Sequence, residues 1–268
     1  MIELKQLQDY VYSIFVEFDR ICRKYDIKYS MEGGTLMGAV KFQNFVPWDD
    51  DIDVIMVRDQ YEKFLQVAKD ELDSRFFLAS YNNRERFPYN FAKIYLNVTR
   101  INDFPYADVP SIRHRIFIDI FPVDNVVPQK LNSHCSMVGI LTGARRVKLR
   151  KKNKFKNLSQ LIYKLLSLLP MKILVGLVDR VCRKYNKKET GYIYEVSNPN
   201  RNFPPMPSSM YMEYTELPFR DKRFMAIKEY DKLLKSRFGE NYANELPDEN
   251  ERRPMHNNDI KMVLDINI

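Results

Sequence analysis

The sequence predicts an α/β or α+β protein in which helices pack against a sheet. Residues 2–25 and 58–72 carry apolar side chains at three- and four-residue steps, which is the spacing of one face of a helix. Residues 51–57 and 115–122 are short, mostly apolar runs, which predict strands buried in a core. With 8 glycines in 268 residues, the chain does not favour a β sandwich with many turns.

The rest of the chain extends this pattern. Further strands are predicted at 27–31, 76–81 and 91–97, an irregular stretch at 98–113, mostly helix over 129–185, a loop-rich stretch at 186–210, a strand or hairpin at 219–227 and a helix at 228–238. A chain of 268 residues is long enough for one large domain, or for a core with an appended helical part.

The cysteines indicate a reducing compartment. Cys22, Cys135 and Cys182 are far apart, and their spacing is not typical of a zinc site or a disulfide framework. Cys22 falls on the apolar stripe of the first predicted helix, which favours a buried free thiol. The amino terminus begins as an amphipathic helix, not as a signal peptide. We therefore predict a cytoplasmic protein.

The positive charge is concentrated in one block. The net charge is +8, and residues 145–156 hold eight cations and no acid. Such a block attracts nucleic acid, an anionic membrane face or a charged glycan. The neighbouring apolar segment 161–178 contains Lys164, Pro170 and Lys172, which argues against a membrane span. Two interpretations stay open: a segment lying in the membrane interface, or a helical hairpin packed on the core.

A glycine turn predicts an anion site. Gly33 and Gly34 permit positive φ angles and close approach of the backbone to a ligand. Thr35 is then placed to cap a short helix at 36–41, whose amino end favours an anion. Taken alone, Gly-Gly-Thr is most often only a turn.

A pair of carboxylates follows the turn. If 51–57 is a strand, Asp51 and Asp53 project from the same face, because side chains alternate along a strand. Two such carboxylates suit Mg²⁺, which takes hard oxygen ligands together with substrate phosphates. The acidic run also fits a solvated loop, but Asp53 lies among apolar residues, where a free charge is costly. Asp49 and Asp50 are weaker candidates, as helpers or as exposed side chains.

Asp119 is a candidate third ligand. It is the lone charge within the apolar run 116–122, where a carboxylate needs a cation or a strong hydrogen-bond partner. The alternatives are a salt bridge to a nearby arginine or a turn cap. Asp124, after Pro122, is predicted to be a cap.

These motifs resemble one known family. The segments that carry the likeness are 32–40 (EGGTLMGAV), 45–54 (FVPWDDDIDV), 91–94 (FAKI), 116–122 (IFIDIFP) and, less clearly, 253–256 (RPMH). The chain resembles the LicD family, the phosphorylcholine transferases of bacterial surface glycans, which share a domain with the fukutins. The likeness is strong over residues 8–125 and loose elsewhere.

The resemblance implies a fold and a reaction. The fold would be α+β, nucleotidyltransferase-like of the DNA polymerase beta type: a mixed sheet with flanking helices and an appended helical region. Residues 1–125 would be the catalytic core, and residues 126–268 a mainly helical region with a basic and apolar hairpin and C-terminal elements that complete the site. Family members typically move a phospho-alcohol from a CDP-activated donor to a sugar hydroxyl and release CMP.

The resemblance also implies partners and a place in the cell. The donor would be CDP-choline or another CDP-alcohol, with Mg²⁺, or Mn²⁺ as an alternative. The acceptor would be a surface glycan, such as lipopolysaccharide, teichoic acid or capsule, or its lipid-linked precursor. We expect peripheral contact with the inner face of the cytoplasmic membrane through 145–178, and no nucleic acid.

Several residues are assigned roles on this basis. The metal ligands and catalytic residues are Asp51, Asp53 and Asp119, with Asp119 also the base for the hydroxyl proton. The groups predicted to bind the donor are Gly33, Gly34, Thr35, Lys93, His114 and His256. A surface position for the lysine, and structural or exposed positions for the histidines, are the plain alternatives.

Two other functions remain open on the sequence alone. The first is a nucleotidyltransferase that adds a nucleoside monophosphate to a small molecule. The second is a nucleic-acid-binding module that uses 145–156 and keeps its carboxylates for structure. Which alcohol is carried, among choline, ethanolamine, glycerol and ribitol, does not follow from the motifs.

Overall fold

The computed structural model describes residues 3–81, 87–97, 99–100, 116–149, 158–199, 203–244 and 263–264, with the backbone alone for 99–100, 158–160 and 263–264. The helices are α1 (Leu4–Lys24), α2 (Gly33–Phe42), α3 (Arg58–Glu71), α4 (Leu131–Leu149), α5 (Leu158–Leu166), α6 (Met171–Cys182) and α7 (Tyr230–Phe238). The strands are β1 (Ser30–Met31), β2 (Asp53–Val57), β3 (Phe76–Ala79), β4 (Ala92–Leu96), β5 (Thr99–Arg100), β6 (Phe117–Asn125), β7 (Tyr192–Tyr194), β8 (Met206–Pro207), β9 (Tyr214–Phe219), β10 (Lys222–Ile227) and β11 (Val263–Leu264).

The main sheet is mixed. Its strand order is β1-β2-β6-β4-β3, and β7 and β8 extend it beyond the end of β6. β2 runs parallel to β6, and the other pairs in this sheet are antiparallel. With helices packed on the sheet, this arrangement confirms the predicted α+β class and is consistent with the nucleotidyltransferase-like fold.

Helix α1 covers one side of the core, as its apolar spacing predicts. Leu7, Val11, Ile14 and Phe18 are buried at three- and four-residue steps. Cys22 continues this stripe and is a buried free thiol, as predicted. The first predicted helix is therefore confirmed with nearly the expected bounds.

Strand β6 is longer than predicted, because it passes through Pro122 and ends at Asn125. The N–H of Asp119 donates to Ile52 O on the β2 side, so the backbone nitrogen of Pro122, three residues on, points away from β2. Pairing with β4 has already stopped at Ile120. No ladder bond is lost, and the proline is tolerated within the strand.

Asp124 is not the predicted cap. It lies in β6 and is 1% exposed. The Arg58 guanidinium donates to both carboxylate oxygens, at 2.8 Å and 2.5 Å, and Asn186 donates to Oδ1 at 2.6 Å. A buried carboxylate requires such partners. Asp124 therefore joins α3 to the segment after α6.

The helical region departs from prediction at Arg145. The apolar stretch 161–178 contains parts of two helices, α5 and α6, and Pro170 directly precedes α6. Among the described residues, no helix has the length and apolarity needed to cross a bilayer. Arg145, predicted as part of a polyanion-attracting block, is fully buried: it donates to Asn90 Oδ1 at 2.5 Å and to Phe87 O at 2.6 Å. Residues 150–156 of the block lie outside the described part.

Strand β10 of the hairpin β9–β10 and helix α7 confirm the elements predicted at 219–227 and 228–238. Phe224 of β10 stacks on Phe15 of α1 with ring centroids 4.0 Å apart. Leu233 and Leu234 of α7 are buried in the same apolar cluster as the main sheet. Elements from both halves of the chain thus share one core. The division at residue 125 stays a prediction. Strand β7 was missed within the loop-rich stretch 186–210.

Candidate active site

Three charged residues form a row across the centre of the sheet. Asp53 of β2 is paired with Asp119 of β6, and Asp119 is paired in turn with Lys93 of β4. Directly paired residues on adjacent strands project from the same face, with backbones about 4.8 Å apart. The sheet therefore brings together three side chains that are far apart in sequence.

Lys93 is a buried partner of Asp119. Its Nζ lies 2.7 Å from Asp119 Oδ1, and the two side chains are 3% and 9% exposed. The ammonium group also lies 3.4 Å from the centroid of the Phe117 ring and 4.7 Å from that of Tyr89. The surface alternative for Lys93 is wrong. The salt-bridge alternative for Asp119 is correct in kind, with a lysine in place of the expected arginine.

Thr35 does not cap a helix. Helix α2 begins at Gly33, with Glu32 at the N-cap and no side-chain cap hydrogen bond. Thr35 Oγ1 instead accepts a 2.9 Å hydrogen bond from the backbone N–H of Asp53. Gly33 has φ +55°, and a Cβ added there would lie 3.6 Å from Asp53 Oδ2. The positive amino end of α2 therefore lies against the Asp53 carboxylate.

Asp51 precedes the strand on which it was predicted. Because β2 begins at Asp53, the alternation argument for a shared face does not apply to Asp51. It belongs instead to a group with Asp49 and Asp50, in which one carboxylate oxygen from each lies within 4.8 Å of the others. Burial, followed by the carboxylates of Asp51 and Asp53, raises the pKa of Asp49 well above its usual range. Asp49 is thus a stronger site candidate than its sequence context indicated.

Two glycines of α2 let the acidic loop pack closely. A Cβ on Gly34 would lie 2.2 Å from Asp49 Oδ2, and a Cβ on Gly38, one helical turn later, would lie 2.4 Å from Asn44 O. On the other side of the loop, Gln8 of α1 donates to Asp49 O at 2.8 Å. The glycine motif therefore leaves space for the Asp49 carboxylate. This is in addition to its predicted role, in which its backbone comes close to an anionic ligand.

Glu32 and Arg237 form a second buried pair beside the row. Arg237 Nε of α7 donates to Glu32 Oε1 at 2.6 Å, and the side chains are 7% and 0% exposed. The backbone N–H of Glu32 donates to Asp53 O at 3.0 Å. Neither residue was predicted as a partner of the other, since 205 residues separate them. No local pattern at Arg237 signals the contact.

The comparisons with known proteins agree with these motifs. Residues 26–156 match the family model described as LicD/FKTN/FKRP, nucleotidyltransferase domain. The chain is 28% identical over 264 residues to the lipopolysaccharide cholinephosphotransferase LicD of Haemophilus influenzae, covering 94% of this chain and 96% of that protein. The family model covers just under half of the chain, and the long alignment covers nearly all of it. These likenesses together support an enzyme of the LicD type.

Two shorter likenesses are to uncharacterised rickettsial proteins. One, from Rickettsia prowazekii, is 29% identical over 104 residues, which is 37% of each chain. The other, from Rickettsia typhi, is 35% identical over 57 residues, covering 21% of this chain and 18% of that protein. The names of these two proteins state no activity.

The LicD family match contains most of the candidate site. Asp53, Asp119 and Lys93 all lie within residues 26–156. Arg237 lies outside that range. It lies inside the long alignment with the Haemophilus LicD protein, because that alignment covers 94% of this chain and Arg237 is farther from either end than the uncovered part is long. The carboxyl-terminal part of this LicD-type enzyme therefore contributes a buried side chain next to the row.

The candidate metal ligands of this LicD-type enzyme suit a hard divalent cation. Asp49, Asp51 and Asp53 are half-buried and Asp50 is buried, and all four offer carboxylate oxygens, the ligands that Mg²⁺ and Mn²⁺ prefer. Crowded carboxylates are also more stable with a cation among them. The predicted metal roles of Asp51, Asp53 and Asp119 stay predictions. His114 and His256 lie outside the described residues, and so does the segment 253–256.

Proposed function

We propose that this LicD-type enzyme transfers phosphocholine, or a related phospho-alcohol, from a CDP-activated donor to a sugar hydroxyl. The acceptor is a cell-surface glycan of the lipopolysaccharide class or its lipid-linked precursor, and the second product is CMP. The observation that carries the proposal is the row of Asp53, Asp119 and Lys93 beside the amino end of α2. The near full-length alignment with a lipopolysaccharide cholinephosphotransferase supports the choice of cargo.

The reaction is a displacement at phosphorus. The sugar oxygen forms a bond to the phosphorus nearer the alcohol, while the bond from that phosphorus to the bridging oxygen breaks and the bridging oxygen leaves with CMP. The hydroxyl proton goes to a base, for which Asp119 is the candidate. Such a reaction depends mainly on alignment and on charge placed against the diphosphate.

The chain supplies both requirements. The ion pair with Lys93 holds Asp119 in one orientation, and the hydrogen bond from the Asp53 backbone to Thr35 fixes the start of β2. The amino end of α2 favours the negative diphosphate. Asp51 and Asp53, with Asp49 as a further ligand, would hold Mg²⁺ or Mn²⁺, which when bound offsets charge on the diphosphate.

Lys93 has a partner within the protein besides the phosphate contact that was predicted for it. Its Nζ is held by Asp119 and covered by the rings of Phe117 and Tyr89. We therefore assign Lys93 the role of orienting the Asp119 carboxylate. Direct contact between Lys93 and the donor stays a prediction.

The test is a donor panel. Purified protein is incubated with Mg²⁺ and with CDP-choline, CDP-ethanolamine, CDP-glycerol or CDP-ribitol, and CMP release is measured with a sugar acceptor present. We expect CMP release from one of the donors. We expect that release to be lost in the double variant Asp51→Asn with Asp53→Asn. The matched control is Asp70→Asn, because Asp70 is an exposed acid on α3. Unchanged CMP release in the double variant contradicts the proposed mechanism.

The mass of the acceptor product separates this function from nucleotidyl transfer. An acceptor that gains the phospho-alcohol supports the proposal, whereas one that gains a nucleoside monophosphate supports the alternative reaction on the same fold. The nucleic-acid-binding alternative is weakened by the position of Arg145, since a fully buried cation cannot contact a polyanion. We further propose that the enzyme works at the inner face of the cytoplasmic membrane, where lipid-linked acceptors lie.

A further inference from the structure

An apolar surface on the helical region is not used by the core. We call it the apolar tip, and its members are exposed large side chains within thirteen consecutive residues: Leu161, Ile162, Leu165, Leu168 and Ile173. Leu165 is 59% exposed and Leu168 is 76% exposed. Exposed apolar side chains that lie this close along the chain mark a candidate site of interaction.

The apolar tip runs along α5, through the turn that follows it and into the start of α6. Leu161 and Leu165 are one turn apart on α5, and Leu168 follows in the turn before α6. α6 turns other apolar residues inward, because Leu174 and Val178 are buried. The described part of α5 has no buried side chain. The tip is thus an outward surface, not an incompletely packed core.

The surroundings of the apolar tip are positively charged. Apart from the buried Arg145, the described residues from 130 to 188 include ten Lys or Arg residues and one acid, Asp179. That acid already accepts hydrogen bonds from Arg183 at 2.8 Å and from Tyr81 at 2.6 Å. Lys164 and Lys172 are exposed beside the apolar side chains. Apolar residues flanked by cations match an anionic membrane surface, because acyl chains can receive the apolar residues and lipid phosphates attract the cations.

Other occupants fit less well. A second copy of the chain would bring two positive surfaces together, which is unfavourable. A nucleic acid would contact the lysines, but it would leave the leucines in water, and aliphatic side chains are not the aromatic platforms on which bases stack. The helices are also too short to span a bilayer, with 9 residues in α5 and 12 in α6. The geometry favours a surface contact with lipid.

Helix α4 connects the apolar tip to the segment that precedes β4. α4 packs against both α5 and α6. Arg145 of α4 is hydrogen-bonded to Phe87 O and Asn90 Oδ1, in the segment that leads into β4 and Lys93. A membrane bound at the tip would therefore hold the row at a set position relative to the lipid surface.

We infer that the apolar tip inserts into the interface of an anionic membrane, with Lys164 and Lys172 against the lipid phosphates. This inference rests on the proposed function for its purpose, which is to bring the site to a lipid-linked acceptor. Its physical basis is separate, because it depends on exposed leucines and lysines that take no part in the chemistry.

The test uses the full chain and vesicle sedimentation. Vesicles of phosphatidylcholine alone are compared with vesicles of phosphatidylcholine and phosphatidylglycerol. We expect binding to the anionic vesicles that weakens with added salt, and a loss of about tenfold or more in Leu165→Glu with Leu168→Glu. The matched control is Met212→Glu, because Met212 is 79% exposed and lies outside the tip. It should bind as the parent does.

Three results overturn the inference: equal binding to neutral vesicles, equal binding by the double variant, or a dimer that the double variant dissociates without any vesicle binding. CMP release from the donor panel in the absence of vesicles is measured on the same samples. If that release persists while vesicle binding is absent, the docking surface is wrong and the proposed function stands. If vesicle binding is found without turnover of any donor, the proposed function is wrong and the docking surface stands.

Discussion

Arg237 of α7 and Glu32 at the start of α2 form a buried ion pair, with Nε and Oε1 2.6 Å apart. The Arg237 guanidinium also stacks over the Phe203 ring at 4.4 Å. Because the Glu32 backbone donates to Asp53 O, the pair connects the last described helix to the first residue of the carboxylate strand. The carboxyl-terminal part of the chain therefore helps to set the position of Asp53.

Removing the guanidinium should destabilise the fold. In Arg237→Met, the Glu32 carboxylate is left buried without this partner, and such a change costs about 3–5 kcal/mol in the free energy of unfolding. Urea denaturation measures it. Glu32→Gln combined with Arg237→Met should recover part of the loss, since the buried charge is gone.

The control for this pair is Lys228→Met. Lys228 and its partner Glu213 are 65% and 68% exposed, and an exposed pair is worth less than about 1 kcal/mol. If Arg237→Met costs no more than Lys228→Met, the buried pair does not support the strand.

Adding one methyl group at Gly34 should displace the acidic loop. The new Cβ would meet Asp49 Oδ2 at 2.2 Å, so the carboxylate must move. Misplacement of a site group by about 1 Å can lower activity about a hundredfold, and we expect a loss of that order in CMP release from Gly34→Ala. Gly139→Ala is the matched control, because no atom lies within 4 Å of its added Cβ. It should keep full activity; equal losses in both variants would point to a general effect of alanine.

Loss of the Lys93 ammonium should affect turnover more than substrate affinity. In Lys93→Met, Asp119 loses the partner that orients it at 2.7 Å, while the residues at the amino end of α2 are unchanged. A positioned base contributes about a hundredfold or more, so kcat should fall by up to that factor with little change in KM. Steady-state kinetics with the best CDP-alcohol measure both constants.

The control for Lys93 is Lys69→Met, since Lys69 is an exposed lysine on α3. A rise in KM with kcat preserved in Lys93→Met would instead indicate that Lys93 contacts the donor, as the sequence predicted.

Divalent cations should stabilise the folded protein. The carboxylates of Asp49, Asp50 and Asp51 lie within 4.8 Å of one another, and their repulsion is relieved by a bound cation. Saturation at about a hundred times Kd adds about 2.7 kcal/mol to the free energy of unfolding. Thermal unfolding in Mg²⁺, Mn²⁺ and EDTA measures the shift in Tm.

The cation shift should be lost in Asp51→Asn with Asp53→Asn and kept in Asp70→Asn. A shift of equal size in both variants would place the cation elsewhere on the chain.

Mild acid should weaken the fold through His134. Burial lowers the pKa of His134 below its usual range, and its Nε2 donates to Val181 O at 2.5 Å. The unfolded chain therefore takes up this proton at a higher pH than the folded chain, with a usual value of about 6.5. Stability from this source is complete above about pH 6.5 and is lost as the pH falls below it. Urea denaturation on the two sides of that pH measures the loss.

His134→Gln keeps an N–H donor but cannot titrate. Its stability should therefore fall less than that of the parent between the same two pH values. An equal fall in both proteins would assign the acid sensitivity to other groups.

Local sequence patterns were sufficient for some parts of the site. Asp53 and Asp119 stand out because each is a charge in or at the end of an apolar strand, and burial of such a charge needs an explanation. The helices at α1 and α3 follow from apolar spacing alone. The strand or hairpin predicted at 219–227 contains β10, whereas nearly all of β9 lies before it and was not predicted.

Other parts depend on pairings that no local pattern records. Lys93 faces Asp119 only because β4 and β6 pair in one register. Arg237 reaches Glu32 only after the chain has returned from the helical region. The predicted capping role of Thr35 was wrong for a related reason. Its hydroxyl oxygen accepts a hydrogen bond from the backbone of Asp53, which lies outside its own helix. Long-range contacts therefore account for most of the differences between expectation and structure.

The contact between Gly34 and Asp49 also bears on how this sequence can change. Since the space next to the helix is taken by the carboxylate, a larger residue at 34 is acceptable only if 49 shortens or moves. A shorter residue at 49, in turn, removes the reason for glycine at 34. The two positions should therefore show strong epistasis. A redesign that enlarges residue 34 would therefore have to shorten residue 49 first or at the same time.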